Sequence, residues 1–147
     1  MVKIIPPDIK EVKTMINSKS KEKTKNLKPV FDKIDPSLLE VMPYEYKGKK
    51  IEINIETPEF TCLCPWSGLP DFANLNIRYV PDKSVIELKS LKFYLHSYRN
   101  TGIVHESAVN RILEDAAKIC KPKEMSIEMV FNIRGGLKTT VKAQYNK

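Results

Sequence analysis

The sequence predicts an α+β fold in which an antiparallel sheet carries two helices on one face. Four segments alternate apolar and polar residues, as half-buried strands do, and two segments between them repeat apolar residues at the period of a helix. The predicted order is therefore β-β-α-α-β-β. A strand pair at each end of this order favours antiparallel pairing, and such a sheet can bury one face under helices.

The first two strands are predicted to flank a segment rich in turn-forming residues. Ile51, Ile53 and Ile55 alternate with polar residues, and Pro58 is predicted to end the first strand. The second strand is predicted over residues 75–80, where apolar and polar residues alternate again. The residues between these two strands are expected to form a loop.

Two helices are predicted after the second strand. Leu91, Tyr94, Leu95 and Tyr98 are spaced at i, i+3, i+4 and i+7, so they share one face of the first helix. Asn100-Thr101-Gly102 is predicted to stop this helix. The second helix is predicted from apolar residues at the same period, which are Ala108, Val109, Ile112, Leu113, Ala116, Ala117 and Cys120.

The last two strands are predicted over residues 125–131 and 137–143. Apolar residues alternate with more polar ones in both segments, and Arg134-Gly135-Gly136 separates them. These strands are therefore expected to form a hairpin that completes the sheet.

Composition divides the chain into residues 1–45, a Lys-rich arm and linker, and residues 46–147, a single folded domain. The net charge is +7, and residues 1–50 contain 12 Lys against 7 Asp and Glu. Residues 8–28 are expected to be a frayed helix or a flexible arm, and residues 29–45 a linker with one helical turn. A Lys-rich arm with few aromatic residues indicates a solvated segment more than an RNA-binding one.

The remaining composition excludes several classes of protein. The chain has three cysteines, an odd number, and its first residues lack the apolar core of a signal peptide. We therefore expect a cytoplasmic protein with reduced thiols and no membrane span. No metal is expected, because the two histidines and the Cys62-x-Cys64 pair lack the usual zinc spacing. A metal bound by Cys62, Cys64 and His105 is the alternative.

The most informative segment is residues 59–73. It places Cys64 before Pro65 in a turn-rich stretch, with Asp71 following at short range. A thiol and an acid on one constrained loop are the minimum required for covalent catalysis with proton delivery. The alternative is a small buried thiol beside an aspartate that serves only in a turn.

Three further groups of polar residues suggest ligand binding. Lys89 and Lys92 are three residues apart, so a helix places both cations on one face, where they bind a phosphate or remain solvated. His105-Glu106 opens the second helix. The glutamate there is either stabilised by the helix dipole or accepts N–H donors from a flat heterocycle. Arg134 is either part of a plain turn or a cation presented on a flexible loop.

Taken together, these motifs resemble the single-domain QueF family. The motif Phe-Thr-x-Leu-Cys-Pro-x-x-Gly-x-Pro-Asp-Phe-Ala is followed by Glu-Leu-Lys-Ser-Leu-Lys-x-Tyr, then His-Glu, then Arg-Gly-Gly, over about residues 48–145. The resemblance implies a tunnel fold, with residues 46–147 as the catalytic domain. It also implies NADPH-dependent reduction of the nitrile 7-cyano-7-deazaguanine to 7-aminomethyl-7-deazaguanine, on the route to queuosine in tRNA.

The resemblance implies a role for each candidate residue. Cys64 matches the nucleophile that forms a thioimide with the nitrile carbon, and Asp71 matches the proton donor. The residues expected to bind the deazaguanine are Ile86, Glu87, Leu88, His105 and Glu106. The residues expected to hold NADPH are Lys89, Lys92 and Arg134. Reduction of a nitrile to an amine takes four electrons. Because each NADPH donates two, the resemblance implies two NADPH molecules as co-substrates in each turnover.

The resemblance also implies partners and leaves alternatives open. Family members are homo-oligomers, often two stacked pentamers with pockets at subunit interfaces, and nucleic acid is not required. Two residues depart from the family pattern: Val104, where many relatives have Phe, and Cys62, where they often have Ser. The first alternative is an archaeal-type amidinotransferase that adds ammonia to the cyano group on tRNA. The second is a non-catalytic RNA-binding module that uses the Lys-rich arm.

Overall fold

The structure, a computed structural model, describes residues 33–147. Its strands are β1 (Val41–Pro43), β2 (Ile53–Leu63), β3 (Pro70–Val80), β4 (Ser84–Ile86), β5 (Glu124–Phe131) and β6 (Thr140–Asn146). Its α-helices are α1 (Leu88–His96) and α2 (His105–Cys120). The predicted β-β-α-α-β-β order is confirmed for the long elements. The short strands β1 and β4 form an additional two-stranded sheet.

A four-stranded antiparallel sheet in the order β2-β3-β5-β6 carries the two helices. One face of β3 and β5 is buried at every second residue, as a half-buried sheet requires. Of the residues predicted for the first helix, Leu91 and Tyr94 are buried and Leu95 is partly buried, whereas Tyr98 is buried just past the end of α1 at His96. All the residues predicted for the face of the second helix are buried in α2, and they are Ala108, Val109, Ile112, Leu113, Ala116, Ala117 and Cys120. No helix within residues 33–147 is long and apolar enough to cross a bilayer.

The prediction that Pro58 ends the first strand is wrong, because β2 continues through it to Leu63. The pairing of β2 with β3 shifts register between Thr57 and Phe60, which marks a bulge. Proline is tolerated at a bulge and on an edge strand, where its missing N–H breaks no ladder bond. β2 is such an edge strand.

The second strand also begins earlier than predicted. β3 starts at Pro70, which pairs with Leu63, so only residues Cys64–Leu69 remain as a loop. Asp71 therefore lies in a strand and not on the same loop as Cys64. The early start follows from pairing with the extended β2, which local sequence does not specify.

The final hairpin is shifted toward the C-terminus. Its last strand begins at Thr140 and not at residue 137, because Leu137 pairs with Arg134 across the turn. Gly135 and Gly136 have φ of +55° and +77° at the tip. Both values favour glycine, which has no Cβ to clash in the left-handed region.

The N-terminal predictions are only partly within the described residues. The expected arm over residues 8–28 lies outside them. The expected helical turn is present as a 3₁₀ turn at Pro36–Leu38, which Asp35 caps by accepting a bond from the Ser37 N–H. Leu39 then enters the core at 3% exposure.

A buried tyrosine network joins the two helices. The Tyr94 hydroxyl donates to Asp115 at 2.7 Å and lies 2.8 Å from the Tyr98 hydroxyl. Arg111 donates through Nε to the same Asp115 oxygen at 3.0 Å. Burial raises the pKa of both tyrosines, so they stay neutral and can donate.

We predict that Asp115→Ala destabilises the fold by about 1–3 kcal/mol, because a buried tyrosine donor loses its acceptor. Urea unfolding measures the change. Asp82→Ala is the matched control, because Asp82 pairs with Lys147 at the surface and its loss should matter much less. Equal destabilisation by the two substitutions would contradict a structural role for the tyrosine network.

Candidate active site

The thiol of Cys64 is held on a short closed loop at the end of β2. The Cys64 N–H donates to the Leu69 carbonyl, and the Gly68 N–H donates to the Cys64 carbonyl, both at 2.8 Å. Gly68 has a φ of +69°, which other residues rarely adopt. These backbone hydrogen bonds therefore fix the position of Cys64, and its partly buried sulfur takes no part in them.

The turn between the helices packs directly behind this loop. The Leu63 N–H donates to the Thr101 carbonyl, and the Ile103 N–H donates to the Leu63 carbonyl, both at 3.0 Å. A Cβ on Gly102 would lie 3.3 Å from the Pro65 Cα, tighter than most contacts, so glycine permits this approach. These contacts hold the segment that leads into α2 against the loop that contains Cys64.

Asp71 is buried at 4% exposure, and both of its carboxylate oxygens have partners. Oδ2 lies 3.2 Å from the His105 Nε2, and Oδ1 forms an ion pair with Arg134. The His105 ring stacks on Phe131 with 3.6 Å between centroids and 5° between planes. Strand β3, helix α2 and the β5–β6 hairpin thus converge on one carboxylate.

The surroundings of the Cys64 sulfur favour its thiolate. A hydrogen bond from the Ser67 hydroxyl contributes most, and the N–H groups of Ser67 and Trp66 and the Arg134 side chain add to it. Together they lower the pKa of Cys64 from 9.0 to about 7. A large fraction of Cys64 is therefore thiolate at neutral pH.

The other two thiols have the opposite surroundings. Burial raises the pKa of Cys62 to about 12, with the negative charges of Asp71 and Cys64 adding to the effect. Burial also raises the pKa of Cys120 to about 11. Of the three cysteines, only Cys64 is partly exposed and has a pKa near neutral pH.

The remaining candidate residues divide between two places. Glu106 is exposed in the first turn of α2, next to His105. The residues at the start of α1 form a second group, which we call the α1 cluster: Ile86, Glu87, Leu88, Lys89 and Lys92. The nine residues of α1 span about 13 Å along the helix axis, and the cluster lies at the opposite end of α1 from the residues that lead into the turn behind Cys64.

Within the α1 cluster, Glu87 already has a structural role. Its side chain accepts bonds from the N–H groups of Lys89 at 2.8 Å and Ser90 at 2.6 Å, which caps the helix and lowers the pKa of Glu87. Leu88, Lys89 and Lys92 are exposed, whereas Ile86 is buried. A cleft of ≈ 350 Å³ between β2 and α1 is lined by residues that include Ile55, Phe60, Leu88, Leu91, Lys92 and Leu95.

Residues 70–147 match the family described as QueF-like protein. The chain belongs to this family. A relative from Caldicellulosiruptor bescii is 52% identical over 117 residues, which cover 80% of this chain and 89% of the relative. A relative from Chlorobaculum tepidum is 45% identical over 114 residues, covering 78% of this chain and 97% of the relative. Both relatives are named NADPH-dependent 7-cyano-7-deazaguanine reductase.

A solved structure supports the fold expected for a QueF-like chain. It is described as the archaeosine synthase QueF-Like in the apo form, and it aligns with a TM-score of 0.61 at 22% identity. The alignment covers 65% of this chain and 94% of that one. The tunnel-fold prediction is thereby confirmed for the single chain.

The sequence analysis missed two residues of this QueF-like site. Ser67 occupies an unspecified position of the Cys-Pro motif, yet it contributes most to the lowered pKa of Cys64 and accepts a hydrogen bond from Arg134. Phe131 was predicted only as a strand residue, although it supports the His105 ring. The sequence signal that could have identified Ser67 is a serine three residues after Cys64 in a predicted turn.

Within residues 33–147, no three His, Cys, Asp or Glu side chains are grouped to bind a metal ion.

We predict that iodoacetamide alkylates Cys64 with a rate that rises through pH 7 and levels off above it. The thiol form is unreactive below the pKa of about 7, and the thiolate dominates above that value. Intact-mass measurement across a pH series, followed by peptide mapping, identifies the modified cysteine. Modification of Cys62 or Cys120 at a comparable rate in the folded protein would contradict the assignment.

Proposed function

We propose that this chain is an NADPH-dependent reductase that converts the nitrile of 7-cyano-7-deazaguanine to a primary amine. The observation that carries the proposal is the activated Cys64 thiol, in one site with the buried acid Asp71. Relatives about half identical to this chain are named for that reaction. A reduced thiol and an NADPH co-substrate both suit the cytoplasm.

The first step would use the Cys64 thiolate. Its sulfur forms a bond to the nitrile carbon, one C–N π bond opens, and the nitrogen takes the electron pair and a proton. The product is a thioimide attached to Cys64. Asp71 would deliver the proton, and His105, with Nε2 at 3.2 Å from Oδ2, is placed to supply Asp71 with another.

Reduction of the thioimide then requires two hydrides, which NADPH supplies. The first hydride adds to the thioimide carbon, and breaking of the carbon–sulfur bond releases the thiolate and leaves an imine. The second hydride and further protons give the amine. Lys89 and Lys92, exposed on α1, would bind cofactor phosphates. Arg134 contacts Asp71, so its charge acts on the catalytic carboxylate as well.

Substrate binding would use residues from two copies of the chain. Glu106, exposed in the first turn of α2, would accept N–H donors from the deazaguanine, whereas Ile86, Glu87 and Leu88 belong to the α1 cluster at the start of the other helix. A neighbouring copy that places its α1 cluster against this site would complete the pocket. The edge strands β2 and β6 provide backbone groups for pairing such copies into a ring.

The nearest alternative is an amidinotransferase that adds ammonia to the cyano group. It would use Cys64 and Asp71 in the same way up to the thioimide, and a Lys-rich N-terminal segment suits a tRNA substrate. The names and the identity of the curated relatives favour the reductase. The reductase would supply 7-aminomethyl-7-deazaguanine for queuosine in tRNA.

The experiment that tests the proposal mixes the purified chain with NADPH and 7-cyano-7-deazaguanine. We predict loss of NADPH absorbance and release of the amine, with Cys64→Ala abolishing both the covalent adduct and turnover. Cys120→Ala is the control, because Cys120 lies in the core at the far end of α2. An adduct that forms without any NADPH oxidation, combined with ammonia-dependent modification of tRNA, would establish the alternative instead.

We predict that Asp71→Asn retains the adduct but lowers NADPH-dependent turnover by roughly 10²–10⁴-fold, the usual contribution of a general acid. Asparagine keeps the size of the side chain and loses the ability to donate an acidic proton. Single-turnover kinetics with adduct detection by mass separate the two steps. Asp82→Asn, which changes a surface carboxylate near the other end of β3, is the control. Turnover close to that of the wild type would mean that Asp71 is only structural.

A further inference from the structure

The register of the sheet places a carboxylate and an aromatic ring side by side where α2 begins. Phe131, the last residue of β5, pairs with Ala73 on β3. Asp71 precedes Ala73 by two residues, so Asp71 and Phe131 lie on the same face of the sheet as diagonal neighbours. Both are buried, at 4% and 2% exposure. The sheet therefore presents both groups to His105, the first residue of α2.

The two groups constrain different features of the His105 ring. Asp71 Oδ2 lies 3.2 Å from Nε2, which restricts the position of one ring atom. The Phe131 ring lies parallel to the imidazole, with 3.6 Å between centroids and 5° between planes, which restricts the plane of the ring. A helix limits χ1 of a histidine but leaves χ2 broad, so the backbone does not set this plane. Without Phe131, rotation about χ2 would carry Nε2 away from the carboxylate.

The backbone beneath the Phe131 ring is anchored on both sides. The Phe131 N–H donates to the Thr139 carbonyl just before β6, and the Asn132 N–H donates to the Phe72 carbonyl on β3, both at 2.9 Å. Close packing in a protein interior leaves a buried ring little room to move. Phe131 is therefore a fixed wall against which the half-buried imidazole of His105 rests.

We propose that Phe131 is a positioning residue for proton transfer, because its ring holds the His105 imidazole in the plane in which Nε2 faces Asp71. This rests on the proposed function, in which Asp71 donates protons and His105 supplies them. A proton leaves Nε2 of the imidazolium for Asp71 Oδ2, and the neutral imidazole then takes another from water, to which the 22% exposed side chain has access. Reduction to the amine consumes protons at several steps, so Asp71 must be reprotonated within one turnover.

The position of Phe131 limits its expected effect to one part of the reaction. It touches His105 and contributes nothing to the Cys64 loop, so attack by the sulfur should not depend on it. Resupply of the proton should depend on it, because a donor displaced by about 1 Å can cost up to about 100-fold in rate. Loss of the Phe131 ring should therefore lower kcat, with little change in the KM for the nitrile and with the adduct retained.

The kinetic test compares Phe131→Leu and Phe131→Met with the wild type. Both variants keep an apolar side chain and remove the flat ring, so a folding defect in one of them does not decide the result. We expect kcat for NADPH oxidation to fall roughly 10- to 100-fold in each. Ile127→Val is the matched control, because it removes buried volume from the same face of β5 about 13 Å along the strand. A kcat in the Phe131 variants equal to that of Ile127→Val would overturn the proposal.

A double-mutant cycle separates an effect through His105 from a general loss of structure. The Phe131→Leu change is repeated in a His105→Ala background, and kcat is measured for all four proteins. If Phe131 acts through His105, its replacement should have almost no further effect once the imidazole is absent. A full second loss of kcat in the double variant would overturn the proposal, because Phe131 would then act independently of His105.

Proton NMR tests the stacked geometry without nitrile or NADPH. The chain has two histidines, so His96→Gln assigns the ring signals of His105. The ring current of Phe131 should shift the carbon-bound ring protons of His105 upfield, and the shift should be lost in Phe131→Leu and kept in Ile127→Val. Identical His105 signals in the wild type and Phe131→Leu would overturn the proposal. A normal upfield shift in a protein that never oxidises NADPH would instead be a failure of the proposed reductase function.

Discussion

The buried carboxylate of Asp71 is the interaction on which the arrangement of the site depends. The Asp71 side chain is only 4% exposed, and burying a carboxylate this far without partners would be costly. Removing one partner of a buried ion pair leaves the other charge uncompensated. Its partners come from elements distant in sequence, His105 at the start of α2 and Arg134 in the β5–β6 hairpin. Helix and hairpin must therefore meet β3 for the charge to be tolerated, and their meeting also assembles the groups around Cys64.

The sequence predicted the helices better than the ends of the strands, and the reason is physical. The buried face of α2 follows from one local period, so its apolar residues identify it without reference to any partner. The ends of β2 and β3 depend on the strand across from them. Pro58 was read as a stop, whereas a bulge on an edge strand accommodates it. No local pattern shows which strand will be at an edge.

In the site, too, residues within one short motif could be predicted from the sequence, whereas contacts between distant residues could not. Cys64 and Asp71 were predictable because a compact motif contains both, although the strand position of Asp71 was not. The contact between Arg134 and Ser67 joins residues 67 positions apart, and only the folded hairpin brings them together. The roles of Lys89 and Lys92 stay a prediction, because the structure shows only that both are exposed on α1.

The contrast among the three thiols should allow selective labelling of the wild-type chain at Cys64. Cys62 and Cys120 are shielded in the core, with pKa values of about 12 and about 11, whereas Cys64 is accessible with a pKa of about 7. A maleimide dye or spin label added briefly near neutral pH should therefore attach at one position without any cysteine being replaced. Such a probe would sit beside Asp71 and Arg134 and report on the arrival of a ligand or of a neighbouring copy by spectroscopy.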